Sequence, residues 1–343
     1  MLSVDPRPAE GVAVGVDIGG TKLAGGLIGA DGSVLARDRV DTPAHDADAI
    51  VEAVLGVVER LTGACEPGTG DSAPRGVGVP VGVGAAGMID LGGTVRYAPN
   101  LDWSGCQLGA LLTRRLGVTV TVDNDGNAAA WGEYRCGAGR DTRASLVMLT
   151  VGTGVGGGLI HNGTLLRGAQ GFGAEFGHMV IAEGGRRCPC GNTGCLEALA
   201  SGTAIGITAR ERRESGGVPT DSPLHHTSEP TGKSVTIAAH AGDEAARAVL
   251  AECGAWLGVG IASLVNALDP EMVVVGGGAM DAGELLLAPA REAAVRRLMG
   301  RSRRQAPPIV RAGLADDGGL VGAALLALEA GAGHPRPATR DPV

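Results

Sequence analysis

Between Glu175 and Glu197 the chain places one His, three Cys and two Glu: Glu175-Phe-Gly-His178, then Cys188-Pro-Cys190-Gly-Asn-Thr-Gly-Cys195-Leu-Glu197. Thiolate and imidazole are ligands that Zn(II) prefers, and His178, Cys188, Cys190 and Cys195 would complete one tetrahedron. Four protein ligands leave no open position, so such a metal is structural rather than catalytic. The alternative is three buried thiols beside a core His, but their Gly, Asn and Pro neighbours suit a loop better than a core. With one ring nitrogen on the metal, His178 keeps the other for a substrate hydroxyl. Glu175 and Glu197 bracket the cluster without being needed by it. They read as acceptors for sugar hydroxyls, or else as solvated surface carboxylates.

Two glycine turns suggest a phosphate ligand. Asp17-Ile-Gly19-Gly20-Thr21-Lys22 lets backbone N–H groups approach an anion, Thr21 adds a hydroxyl, and Asp17 could hold a hydrated Mg²⁺. Taken alone it is equally an ordinary hairpin turn. Gly152-Thr153-Gly154-Val-Gly156-Gly-Gly repeats the pattern in the second half of the chain, and two such loops could grip a polyphosphate from both sides. Gly276-Gly277-Gly278, after Val273-Val-Val, permits flat approach of adenine or ribose, or makes a tight strand-to-helix turn. Asn124-Asp125 closes a strand just before Gly126-Asn-Ala-Ala-Ala. A carboxylate there could accept a hydroxyl proton during phosphoryl transfer, or the pair could simply cap the following helix.

The elements that must position these residues follow from periodicity. Residues 11–18, 22–28 and 33–40 read as three strands of an antiparallel meander, and 47–61 as a helix. Strand-like 76–83, a helix at 108–116 and a strand at 118–122 follow, with a helix beginning at 128. A second meander, 144–151 and 156–160, echoes the first, which suggests a structural duplication. Residues 214–234 are polar and rich in breakers and read as a surface loop. Residues 239–268 read as mostly helical, 272–275 as a strand and 319–330 as a helix. The Pro-rich end, 331–343, reads as a disordered tail.

At 343 residues the chain is long enough for two domains. With 60 Gly and 2% aromatics, its core must be aliphatic and closely packed at the backbone. A net charge of −8, with no Lys/Arg-rich block discerned, argues against nucleic acid or an anionic membrane as partner. No signal-peptide pattern opens the chain, and 255–268 is too short to span a bilayer. Cys65, Cys106, Cys136 and Cys253 are scattered among apolar neighbours, the usage of a reducing cytoplasm.

Taken together, these motifs resemble the ROK family (repressor, open reading frame, kinase), and within it the bacterial glucokinases, in order over about 12–330. The resemblance implies an α/β, actin-like ATPase (ribonuclease H-like) duplicated fold: two domains with an interdomain cleft. The first would run over 11–123 and the second over 124–318, with the zinc loop at 178–195. A C-terminal helix, 319–330, would pack back on the first domain. The resemblance further implies ATP-dependent phosphorylation of the glucose 6-hydroxyl, with Asp125 as base. Asn124, Glu175, His178 and Glu197 would bind the sugar, and Ala86, Gly87 and Asn100 would line the rest of its pocket. Many members carry Pro where this chain has Ala86. The cofactors implied are ATP, Mg²⁺ and a structural Zn²⁺, and the assembly implied is a dimer or tetramer. The alternatives within the resemblance are a kinase of N-acetylmannosamine, fructose or allose, polyphosphate as donor, and a sugar-sensing repressor. Repressors of the family carry an added helix-turn-helix, whereas about ten residues precede the first strand here.

Overall fold

The computed structural model describes residues 11–43, 46–63, 78–98 and 103–331. Asn100, Cys65, the start of the strand expected from 76, and 332–343 lie outside these. In chain order the elements begin with β1 (Val12–Ile18), β2 (Lys22–Gly29), β3 (Val34–Asp41), α1 (Ala47–Gly63), β4 (Val81–Ala85), β5 (Met88–Ile89), β6 (Val95–Tyr97), α2 (Leu108–Leu116), β7 (Val120–Asn124) and α3 (Asp125–Arg135). They continue with β8 (Ser145–Val151), β9 (Val155–His161), β10 (Thr164–Leu165), α4 (Leu196–Ala200), α5 (Gly202–Glu214), α6 (Pro223–His226), α7 (Gly232–His240) and α8 (Glu244–Leu268). Last come β11 (Met272–Gly276), α9 (Glu284–Arg297), β12 (Ile309–Arg311) and α10 (Gly318–Gly331).

Two five-stranded sheets have the same plan. The first runs β3-β2-β1-β4-β7 and the second β10-β9-β8-β11-β12. In each, a hairpin meander supplies the antiparallel edge, β1 with β2 and β8 with β9. In each, the meander's first strand then pairs in parallel with a later strand, β1 with β4 and β8 with β11. The duplication expected from the two meanders is thus present in strand order, not only in local pattern.

Two compact units result: Met1–Arg140 with Leu165–Gly173 and Asp317–Val343, and Asp141–Thr164 with Ala174–Asp316. The first unit extends past the expected division at 123/124 because α3 belongs to it. Residues 126–133 of α3 are buried, and so is every residue of α10 from 318 to 328. The two helices meet almost backbone to backbone. A Cβ on Gly322 would overlap the Ala128 carbonyl, and one on Gly132 would lie 2.6 Å from the Gly318 carbonyl. α10 also lies directly on the sheet: side chains at Gly15 and Gly82 would overlap the carbonyls of Leu320 and Ala323. Close glycine packing replaces the aromatic bulk that this composition lacks. Gly82→Val should therefore destabilise the fold by about 3 kcal/mol or more, since the obstructing atoms are backbone. Urea unfolding measures this, and a loss below about 1 kcal/mol would mean that α10 can move away.

In the second unit, Val147, Leu149, Leu196, Ile205, Leu257, Ile261, Val273 and Leu286 are buried in one aliphatic cluster. α8 is long and apolar enough to cross a bilayer, but its buried face packs on α9, α7 and α4. Residues 214–234 are not simply a surface loop. Ser222 caps α6 through the Leu224 N–H, Thr231 and Ser234 form a capping box on α7, and Val218 and Leu224 are buried. The charge reading also needs correcting. Arg296, Arg297, Arg301, Arg303 and Arg304 form a short basic strip at the end of α9, mostly exposed.

Candidate functional site

In the first unit, β7 ends on Asn124 and α3 begins at Asp125, so the helix starts three residues earlier than expected. Asn124 is the helix cap: its side-chain oxygen accepts the Asn127 N–H at 3.0 Å. Its amide also donates to the Gly87 carbonyl at 3.0 Å, which ties the sugar-pocket candidate Gly87 to the cap. Gly87 has φ +128°, and a Cβ there would lie 2.5 Å from the Tyr97 carbonyl and 2.8 Å from the Ala98 side chain. Asp125 does not cap the helix. Its carboxylate accepts the Gly126 N–H at 2.9 Å, with further local hydrogen bonds from its own N–H and the Asn124 side chain. Burial raises the Asp125 pKa above the ordinary carboxylate value, against the lowering effect of these local hydrogen bonds.

Asp17, at the end of β1, is pushed up to about 7, by burial first and by the charge of Asp125 second, while Arg39 opposes. The first turn of α10 lies against this carboxylate, because a Cβ on Gly319 would come within 2.9 Å of it. The adjacent turn is fixed by backbone bonds. Gly19 N–H donates to the Lys22 carbonyl at 3.0 Å, and the Thr42 hydroxyl donates to the Gly19 carbonyl at 2.8 Å. Gly20, Thr21 and Lys22 are exposed. The Lys22 ammonium pairs with Asp41. Ala86 donates its N–H to the Ile18 carbonyl at 3.3 Å and so follows the same strand end.

Sequence reasoning missed the support beneath this centre. The Asp123 carboxylate accepts the Asn124 N–H at 2.9 Å, the Asn127 amide at 3.0 Å and the Arg167 guanidinium at 2.6 Å. The Arg167 and Asp123 side chains are 16% and 6% exposed, so this pair is largely desolvated and removing either partner strands a charge. Asp123 sits beside the motif and was findable; Arg167 is 44 residues away and was not.

In the second unit, one sulfur or nitrogen atom from each of His178, Cys188, Cys190 and Cys195 lies within 4.8 Å of the others. Nδ1 of His178 is 3.7 Å from the Cys188 sulfur, and the Cys190 and Cys195 sulfurs are 3.7 Å apart. Burial first, then the neighbouring thiols, push Cys188 up to about 12, a sulfur that would stay protonated unless a cation displaced the proton. The donor set and its mutual distances fit a thiophilic divalent ion. Bridges Val180↔Cys195 and Arg187↔Thr193 shape the loop, and Gly194, at φ +76°, passes too close to the Ala182 carbonyl for any side chain. Arg186 fastens it to the body, donating to the Ala198 carbonyl at 2.6 Å and pairing with Glu211 at 2.7 Å.

His178 ends the short 3-10 turn Phe176–His178, with Glu175 immediately before it and exposed. Ala174 takes φ +66°, a strained conformation for a residue with a Cβ, just ahead of Glu175. Glu197 is not a solvated carboxylate: it accepts the Val155 N–H at 2.9 Å, directly after the Gly152–Gly154 loop. That loop closes on itself through Gly152 N–H to the Gly154 carbonyl at 2.9 Å, and Gly156 passes the Thr150 hydroxyl too closely for a side chain. Gly277, at φ +87°, crosses the Val151 backbone, so the tight-turn reading of Gly276–Gly278 holds. Beside it is a shallow recess at the carboxyl ends of β11 and β12, lined by Gly276, Gly277, Met280, Asp281, Arg311 and Ala312 among others. The carboxyl ends of parallel strands are where α/β folds take ligands.

Two sheets of one strand order, each opening on a glycine turn, define the duplicated fold of the actin-like ATPases. Within that class the chain belongs to the ROK family, whose model matches residues 13–330. It is 39% identical over 326 residues to the glucokinase of Streptomyces coelicolor, covering 93% of this chain and 98% of that one. It is 36% identical over 327 residues to the glucokinase of Thermotoga maritima, covering 92% and 97%. The ROK family glucokinase of Streptomyces griseus, solved with glucose and AMPPNP, superposes with a TM-score of 0.79 at 38% identity, covering 93% and 100%.

Proposed function

We propose that this protein is a glucokinase, a hexokinase-type phosphotransferase that moves the γ-phosphoryl group of ATP to the 6-hydroxyl of glucose. The observation that carries the mechanism is Asp125. It is a carboxylate just past the carboxyl end of a parallel strand, with a pKa raised by burial. The named substrate comes from relatives similar over more than nine-tenths of the chain. Asp125 accepts the proton of the attacking hydroxyl as the bond to phosphorus forms. Asn124, Glu175, His178 and Glu197 hold other sugar hydroxyls, so orientation is set before reaction. The backbone of Gly19–Thr21 and Gly152–Gly154 offers N–H groups to the phosphates. The recess beside Gly277 takes the nucleoside end.

Two metals complete this reading. Asp17, a buried carboxylate at the end of β1, would hold a hydrated Mg²⁺ that accompanies ATP and neutralises phosphate charge. The Cys and His set fits Zn²⁺ as a structural ion.

The test is a coupled ADP-release assay with Mg-ATP across glucose, N-acetylmannosamine, fructose, allose and mannose. Glucose should give the highest kcat/KM. Higher turnover of another hexose would keep the mechanism and reassign the substrate. Tight sugar binding without turnover would replace the kinase by a sensor.

A further inference from the structure

Glu197 does more than a sugar-hydroxyl acceptor would. Its Oε2 accepts the Val155 N–H at 2.9 Å, and Gly154 passes so close that a Cβ would overlap this oxygen. Two more bonds tie the same loop to the residues just after Glu197. Gly202 N–H donates to the Gly152 carbonyl at 2.8 Å, and the Thr203 hydroxyl donates to the Thr153 carbonyl at 2.8 Å. All three carbonyl and amide partners span Gly152–Val155, and all three bonds come from 197–203. That segment follows Cys195, which itself precedes α4 as its cap residue. The other carboxylate oxygen, Oε1, faces the Cys188 sulfur at 3.8 Å. One side chain thus joins the Cys/His cluster to the glycine loop.

From this geometry we propose that Glu197 is a positioning residue for nucleotide. It holds the Gly152–Gly154 loop in its anion-binding form, so the cluster that orients the sugar contacts also sets the loop that meets the phosphates. A charged acceptor on a backbone N–H is a strong bond. Its loss frees Val155 and the loop with it, before any sugar is present. The inference rests on the reading of Gly152–Gly154 as a phosphate loop, and the experiment separates the two.

AMP-PNP binding is measured by calorimetry without sugar on the full chain, alongside amide hydrogen exchange at Val155. Glu197→Ala should weaken AMP-PNP roughly tenfold and speed Val155 exchange, the scale of one lost charged hydrogen bond. Glu197→Gln keeps an acceptor oxygen and should stay near wild type in both. Gly154→Ala pushes the carboxylate away from the other side and should reproduce Glu197→Ala, which keeps the test available if the latter folds poorly. Gly152→Asp tests the loop itself: a side chain there meets nothing within 4 Å, so the variant folds and its charge should repel phosphate. If Gly152→Asp weakens AMP-PNP while Glu197→Ala and Gly154→Ala leave it within twofold, the positioning role is wrong and the phosphate loop stands. If none of the three weakens it, the loop does not hold phosphate and the proposal falls with that reading.

Discussion

Asp125→Asn lowers kcat by about 10³-fold and leaves glucose binding within a few-fold of wild type, the expected result if Asp125 is a base. The carboxamide keeps the acceptor for the Gly126 N–H and so keeps the start of α3. What it removes is proton affinity alone. In the wild type the base acts only when ionised, and burial raises its pKa, so kcat/KM falls as pH drops through a value above the ordinary carboxylate range. Stability has the opposite sense. Asp17, ordinarily near 3.8, is pushed to about 7 in the fold, so the folded chain binds the proton more tightly than the unfolded one. Its contribution is fully present below about 4 and is lost as pH rises to about 7. In the metal-free protein Asp125→Asn removes a charge that disfavours ionised Asp17, and should flatten this loss. Steady-state kinetics, calorimetric glucose binding and melts from pH 4 to 8 read all of these. Loss of glucose binding as complete as the loss of turnover would give Asp125 a structural or ligand role instead.

The parts of this architecture legible in the sequence are those whose determinants are local. Both hairpin meanders, α2 and β11 lie where apolar alternation and glycine turns placed them, because strand and turn signals act over a few residues. The four metal-ligand candidates converge because three of them share one tight loop. What the sequence hid depends on distant partners. Arg167 reaches Asp123 across 44 positions and Glu197 reaches Val155 across 42, and neither spacing has any periodicity to betray it. α9 was missed because its first residues follow Gly283 and Pro289 lies inside it, both signals that end helices more often than they build them. Capping and chemistry were posed as alternatives at Asn124-Asp125. The fold makes Asn124 the cap of α3 and does not use Asp125 for it.

The second large effect concerns the metal. Met179 and Ile181 pack on the main core, but beyond them, over 182–195, the buried hydrophobic cluster under this loop consists of Cys188, Cys195 and Ala198. Two of its three members are the proposed ligands. Without a cation these sulfurs are neutral thiols, and Cys188 in particular gives up its proton reluctantly. Past Met179 and Ile181 the loop then rests on its backbone bridges and on Arg186, which are marginal on their own. Bound zinc contributes directly to folding, so chelation or Cys195→Ser should lower the melting temperature by about 10 °C. His178 loses the partner that fixes its ring, and Glu197 loses the frame that holds it beside Val155. Glucose KM should therefore rise at least about tenfold, the scale seen when ligand support is removed from a metal site. Elemental analysis of the purified protein should give one zinc per chain, and readdition of zinc to the chelated wild type should restore KM. Cys195→Ser should not recover on readdition, which separates loss of the ion from damage by the chelator. A chain that keeps its wild-type KM and melting temperature after losing all metal would show that the thiol cluster holds the loop unaided.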